Sequence, residues 1–494
     1  MSPGWRGRAR KALSRVPTAA RMCVLVAFLN AACWSLITPP FQAPDEPDHF
    51  AYVQQLAETG SLPSSPAEGY SEEENVALQG LKQKAIFLSP TAHTISLRSE
   101  QVRLDNELAA PFAKRGAGGA GTATSEPPLY YALQTIPYGL GSGGTILERL
   151  ELMRLLSAVM AALTALFVFL FLREALPGAP WAWTVGGLGV ALAPSLGFIS
   201  GAVNPDTMLF AVCAALFYCF ARAFRRGLTP RLALMIGGVM AVGFLTKLNF
   251  LGLAPGALLG LVLLARREGR TLGHAAYYRL LAPCLLIGFS PAILYALVNM
   301  ASGHPTLGII SKAFGGVIGG HASIPHELSY IWQLYLPRLP WMHSYFGELF
   351  TTRQIWFNGQ VGLYGWLDTV FPGWVYDVVL LPVALIGVLC VRELVIGRTV
   401  LRARATELII YAAMSFGVLM LVGISGYQNI SLYPTEFAEP RYVLPMLALW
   451  GAVLALAARG AGRRWGPVAG VLIVTLVLTQ DIFSQLQVIA RYYG

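Results

Sequence analysis

The sequence predicts an all-α polytopic membrane protein, and three observations predict it. Of 494 residues, 55% are hydrophobic and only 13% are charged, against about 25% charge in an average soluble protein. Mean hydropathy is +0.56, and about eleven mainly apolar stretches reach the roughly 18 residues needed to cross a hydrocarbon core about 30 Å thick. The basic residues behind the net charge of +10 fall in short clusters between those stretches, the bias of cytoplasmic loops rather than the continuous stripe of a nucleic-acid binder. Too little polar surface exists for a disordered chain, and no signature of a collagen or a disulfide-rich secreted scaffold is present.

The stretches lie near 22–39, 150–172, 181–200, 206–222, 231–247, 250–265, 279–299, 374–391, 406–425, 440–458 and 466–483. The first follows a basic tail, residues 1–21, and could pass for a signal peptide. Its length, the following Pro39 and Pro40, and the lack of a small-x-small cleavage site mark it as a retained transmembrane helix. Eleven spans place the tail and the clusters Arg222 to Arg231, Arg266 to Arg279, Arg392 to Arg404 and Arg459 to Arg464 on the cytoplasmic side. Residues 22–483 then form one transmembrane domain. Residues 40–149, the turn at Asn204, residues 300–373, residues 426–439 and the tail 484–494 lie on the outer side. The six cysteines sit in or beside apolar runs with no CxxC pair, which argues against a disulfide or a zinc site.

The long outer loop carries its own structure. Phe50, Val53, Leu56 and Ala57 recur at helical spacing, predicting an amphipathic helix along the membrane surface. A charged, irregular middle ends in a Gly-Ala-Gly-Gly-Ala-Gly run at 116–121, and Pro127 to Tyr131 open a second interfacial helix. Trp332, Tyr335, Trp341, Tyr364, Trp366 and Trp374 are expected at headgroup level.

The densest chemistry is Pro44-Asp-Glu-Pro-Asp-His-Phe50. Asp45, Glu46, Asp48 and His49 concentrate groups suited to general-base, cation-binding or metal-ligand roles. A helix starting at Asp45 puts Asp45, Asp48 and His49 on one face, at i, i+3 and i+4. The purely structural reading makes Asp45 an N-cap and Asp48 a complement to the helix dipole. Asn204-Pro-Asp206 reads as turn and N-cap chemistry on the same side of the membrane as Asp45. Lys247, Arg338 and Arg441 end apolar runs there. Each is either a phosphate-binding cation or structural glue, Lys247 by snorkelling and Arg441 by pairing with Glu439. Arg154 is expected to tether its helix through Glu148 or Glu151. No P-loop, GxSxG elbow or strand-flanked GxGxxG occurs.

Phe41 to Phe50, Pro127 to Tyr131, Asn204 to Asp206, Thr246-Lys247, Trp332 to Pro340, Tyr364 to Asp368 and Arg441 to Pro445 appear in the order of the bacterial domain-of-unknown-function family 2142. The resemblance runs from about residue 22 to 480. That family resembles the class C (GT-C) glycosyltransferase superfamily, multi-pass enzymes that take a sugar from a polyprenyl-phosphate donor on the extracytoplasmic face. The resemblance implies a bacterial plasma-membrane enzyme with a GT-C-like fold, and a lipid or cell-envelope glycan as acceptor. It implies Asp45 or Glu46 as base, with Asn204 and Asp206 orienting acceptor or base. Lys247, Arg338 and Arg441 bind donor phosphate, and Asp48 and His49 also face substrate. Glu439-Pro440 precedes Arg441 where relatives often show glycine. Some class C enzymes use a divalent metal, for which Asp45, Asp48 and His49 are the candidate ligands, and others rely on cationic side chains. The rival reading is a transporter or flippase of a lipid-linked glycan, in which the same cations bind phosphate.

Overall fold

The computed structural model describes residues 16–494 apart from 65, 66, 68, 90, 95, 96, 117, 302–322, 347–351 and 433–438. Its architecture is a helical bundle capped at one end by the long connection between the first two spanning helices. Among the described residues, eight helices are long and apolar enough to cross a membrane: Thr18–Ile37, Ile146–Ala175, Asp206–Arg226, Tyr277–Ala301, Gly373–Ile396, Ala405–Gln428, Pro440–Gly460 and Gly462–Tyr493. Pro180–Ala191 and Pro194–Ser200 meet the same test only as a pair, bent by 51° where Pro194 cannot donate into the ladder of the preceding helix, the geometry of a broken span or a re-entrant loop.

The eleven spans expected from the sequence therefore reduce, among the described residues, to eight by length and composition, or nine with the bent pair. The other two are helices of a different kind. Pro230–Thr246 is short, with 17 residues, and the last turns of Ala254–Leu272 carry Arg266, Arg267, Glu268 and Arg270. Both still connect the two ends of the bundle. Lys247, after the first of them, meets Asp206, and Glu268, near the end of the second, accepts from the Leu228 backbone at 3.3 Å. Chain alternation survives the change in count.

The predicted basic clusters gather at one end. There Glu174 binds Arg225 and Arg226, Arg404 pairs with Glu407 and reaches the Ala175 carbonyl, and Arg459 pairs with Glu393. Cations at helix C-termini also complement the helix dipoles. All six cysteines are free.

The long connection departs most from the sequence reading. Its middle is not irregular: it holds helices Glu72–Gly80, Gln83–Leu88 and Arg98–Leu108. Glu46–Thr59 does not lie on a surface, because every residue from Glu46 to Gln55 is buried. Its apolar side packs Phe50 against Phe41 and Tyr138, while its polar side is covered by the connection itself. Leu129–Leu140 runs beside it, with Tyr52 stacked on Tyr131 at 3.7 Å between ring centroids. A small antiparallel pair, Leu363–Tyr364 with Thr369–Val370, lies against the last helix. There Tyr364 is buried and donates to Ser484 at 2.9 Å rather than sitting at headgroup level. Trp341 and Trp374 are exposed.

Candidate active site

The acidic motif is shaped by the way the first helix ends. Pro39 and Pro40 stop it, and positive φ at Phe41 and at Asp45, both 61°, folds the chain back so that a new helix starts at Glu46 with Pro47 in its first turn. Glu46 locks this turn. Its carboxylate takes a two-pronged grip from Arg154, Nε at 2.8 Å and Nη2 at 2.5 Å, and also accepts the Phe41 and Val203 backbone N–H groups. Arg154 spends its remaining donors on the carbonyls of Ser35, Thr38 and Pro39. A buried ion pair with every valence satisfied is a structural clamp. Arg154 thus tethers its helix through Glu46, not Glu148 or Glu151, and Glu46 has no freedom to take a substrate proton.

Asp45 is directed elsewhere. It occupies the N-cap position, with its carbonyl accepting the His49 N–H at 3.0 Å, but its side chain makes no capping bond and its left-handed backbone takes it off the helical face of Asp48 and His49. Its Oδ2 meets Arg441 Nη2 at 2.6 Å. Arg441 Nε also pairs with Glu439 at 2.5 Å and approaches Asp206 Oδ2 at 3.7 Å. The other Asp206 oxygen holds Lys247 Nζ at 2.9 Å, and Glu126 stands 3.9 Å from the same ammonium. His49 faces Asp45, Lys247, Arg441 and Asp206. Its Nδ1 is 3.0 Å from the Tyr131 hydroxyl, and its buried Nε2 has no hydrogen-bond partner among the described residues. Four carboxylates, two cations and one imidazole therefore converge from five chain segments at the bundle end opposite the basic clusters. Asp45, with 31% of its side chain exposed, is its most open ion-paired member, against 3 to 14% for the other carboxylates and cations.

Electrostatics divides the labour. Burial pushes the Asp45 carboxyl up, but Arg441 foremost, with Lys247, outweighs burial and holds it below the usual carboxylate range. Burial drives the His49 imidazolium down to about 3 despite Asp45, with Lys247 and Arg441 adding to the shift, so His49 is neutral at pH 7. Burial raises Glu439 to about 7, reinforced by Asp45 and resisted by Arg441. Burial disfavours the charge on Lys247, yet Asp206 and Glu126 together keep it firmly protonated. The result is an ionised, partly exposed carboxylate beside two buried cations.

Other expected site residues have different places. Asp48 turns into the long connection, accepting from Tyr70 at 2.7 Å and from the Thr122 backbone and hydroxyl at 2.8 Å. Gly121 makes that approach possible, since at φ 49° it sits where an added Cβ would overlap the Asp48 carboxylate. Asn204 is a turn residue whose Oδ1 accepts the Asp206 N–H at 2.9 Å and whose amide makes a long bond to the Pro44 carbonyl. Arg338 is exposed, bonds the Met342 carbonyl at 3.4 Å and joins none of the cluster's ion pairs. With Asp48 turned away from Asp45 and His49 into the long connection, the candidate metal-ligand set is not assembled. No other grouping of three His, Cys, Asp or Glu suited to a metal occurs among the described residues. The sequence reading missed Glu126 and Tyr131 as parts of the site. Their one signal was the Pro127-Pro128 turn between them, which sets the start of the Leu129–Leu140 helix.

A cleft of about 30 Å³ opens beside the cluster, bounded by Pro44, Phe198, Tyr364, Glu439 and Arg441. The segment that builds this arrangement, residues 28–450, matches the family model described as "Predicted membrane protein (DUF2142)". The chain belongs to the DUF2142 family. Every residue of the cluster lies within the matched region of this DUF2142 protein. Among solved structures it is similar to ArnT from Cupriavidus metallidurans in the apo state, with a TM-score of 0.46 and 15% identity over 90% of this chain and 60% of that one. It is similar also to the same protein bound to undecaprenyl phosphate, at 0.46 and 15%, over 95% and 75%. The DUF2142 chain thus spans 60% of the apo ArnT chain. No curated protein matches it in sequence. Its apolar helices and its family make it a multi-pass membrane protein.

Proposed function

We propose that this DUF2142 protein is a membrane glycosyltransferase that moves a sugar from a polyprenyl-phosphate donor to a cell-envelope glycan or other hydroxyl acceptor. The observation that carries the reading is the ion pair between Asp45 and Arg441, with Lys247 beside it, at the end of a membrane bundle. A lipid-linked sugar phosphate keeps its chain in the bilayer and its reacting carbon at that level. The motif resemblance to class C enzymes points the same way. The gathering of basic clusters at the opposite end supports an extracytoplasmic site in a bacterial plasma membrane.

On this reading Asp45 accepts the proton of the acceptor hydroxyl as its oxygen attacks the anomeric carbon. The bond from that carbon to the phosphate oxygen breaks, its electron pair leaves with polyprenyl phosphate, and the configuration inverts. Arg441 and Lys247 take up the charge that develops on the departing phosphate. When Arg441 turns from Asp45 to the phosphate, the constraint that keeps Asp45 a weak base is relaxed, so donor binding and base activation are coupled. Neutral His49 presents an uncharged hydrogen-bonding edge to the same space.

The test is transfer by purified protein in lipid, using radiolabelled polyprenyl-phosphate sugars and envelope extract as acceptor. Transfer that Asp45→Asn abolishes supports the reading. Translocation of a lipid-linked glycan across vesicles without any new glycosidic bond overturns it.

A further inference from the structure

A second, larger cavity lies on the long connection, away from the ionic cluster. Its volume is about 1000 Å³, the upper end of the range for small-molecule sites. It is lined by the last turn of Glu46–Thr59, by the end of Leu129–Leu140 with the glycine-rich link that follows, and by the start of Ile146–Ala175. Asp45 lies some 12 residues back along the first of these helices, about 18 Å at 1.5 Å per residue. Along the two helices between cavity and cluster, Tyr52 stacks on Tyr131 and Phe50 packs on Tyr138. This is therefore a separate site and not the mouth of the first.

Its floor is polar and of mixed sign. Arg149 bonds Glu73 and the Tyr138 hydroxyl, which in turn donates to Glu58. These side chains are held rigidly by one another and still reach the cavity, with Glu58, Glu73 and Arg149 about a tenth exposed, 15%, 9% and 9%. The lining as a whole carries three carboxylates, Glu58, Glu73 and Glu148, and two cations, Lys114 and Arg149, so an anion would meet the carboxylates and a polyamine the cations. A neutral ligand with both donors and acceptors suits both kinds of group, since carboxylates accept from vicinal hydroxyls and cationic side chains donate to them. Leu56 and Phe112 supply apolar wall for the C–H faces of such a ligand. Gly139 and Gly143 line the rim, and a Cβ added at either meets nothing within 4 Å.

We infer that this groove binds an oligosaccharide, by the polar floor of Glu58, Glu73, Arg149 and Tyr138. That the bound chain is the acceptor of the transfer reaction rests on the function proposed above; the binding itself does not.

The experiment uses the full chain in detergent and end-labelled short neutral oligosaccharides of glucose, mannose and galactose. Orthophosphate and spermidine serve as charged competitors. Gly139→Trp and Gly143→Trp fill the groove without touching the backbone, and Glu58→Gln removes a floor charge with little change in volume. Expected is saturable binding of at least one oligosaccharide, weakened tenfold or more by each tryptophan and by Glu58→Gln, and unchanged within twofold by Asp45→Asn. Absence of saturable binding, indifference to both tryptophans, or displacement by orthophosphate or spermidine overturns the inference. Binding without any transfer leaves the groove in place and removes the transfer reading, while transfer without groove binding does the reverse.

Discussion

Asp45 and Arg441 stand 396 positions apart in the chain and meet at 2.6 Å. The contact joins the turn after the first spanning helix to the start of the penultimate one, and it places the candidate base under the hand of the candidate phosphate clamp.

Asp45→Asn should remove proton acceptance while keeping a hydrogen bond to Arg441. A positioned base contributes about 10²- to 10⁴-fold, so transfer is expected to fall by that factor with donor affinity largely kept. Single-turnover rates and donor binding, measured on the same preparation, check this. A rate within threefold of wild type would remove Asp45 from the mechanism.

Glu46→Gln should behave as a folding lesion. It leaves Arg154 buried without its carboxylate partner, a loss of about 3–5 kcal/mol for breaking a buried pair. Thermal unfolding is expected to drop sharply. Replacing both residues by methionine should cost less than the sum of the single changes, which a double-mutant cycle measures.

Lys247→Gln should weaken polyprenyl-phosphate binding. A hydrogen bond to a charged group contributes about 1.5–3 kcal/mol, or roughly 10- to 100-fold in affinity. Titration with the phospholipid carrier alone checks it. Equal affinity in variant and wild type would leave Lys247 as internal glue for Asp206 and Glu126.

Glu439 gives a pH signature. Burial raises its folded value from 4.5 to about 7, so the folded state holds a proton that the unfolded state has released. Stability from this group is complete below pH 4.5 and is lost as pH rises to about 7. The difference between wild type and Glu439→Gln in chemical unfolding should follow that slope. A difference that is flat with pH, or that rises, contradicts it.

Gly121→Ala should loosen the long connection. A non-glycine residue at positive φ costs about 1–2 kcal/mol, before any clash with Asp48. Faster proteolytic cleavage between Ser61 and Thr124 is the readout.

The sequence by itself determined that the chain is a helical membrane protein and which charged residues stand at the ends of its apolar runs. Hydropathy and charge clustering are local properties, and transfer free energy acts on each segment separately. It also marked Asp45, His49, Asp206, Lys247 and Arg441, because charges at the ends of apolar helices are rare and need partners. Only the tertiary structure decided who those partners are. Glu46 and Asp45 are neighbours with equal claims in sequence, yet a reversal of backbone hand at Asp45 sends one carboxylate to Arg154 and the other to Arg441. Arg338 reads like Arg441 but stays exposed, and Glu126 reads as loop but backs Lys247. Long-range pairing of buried charges depends on how helices meet, and no spacing along one segment records that.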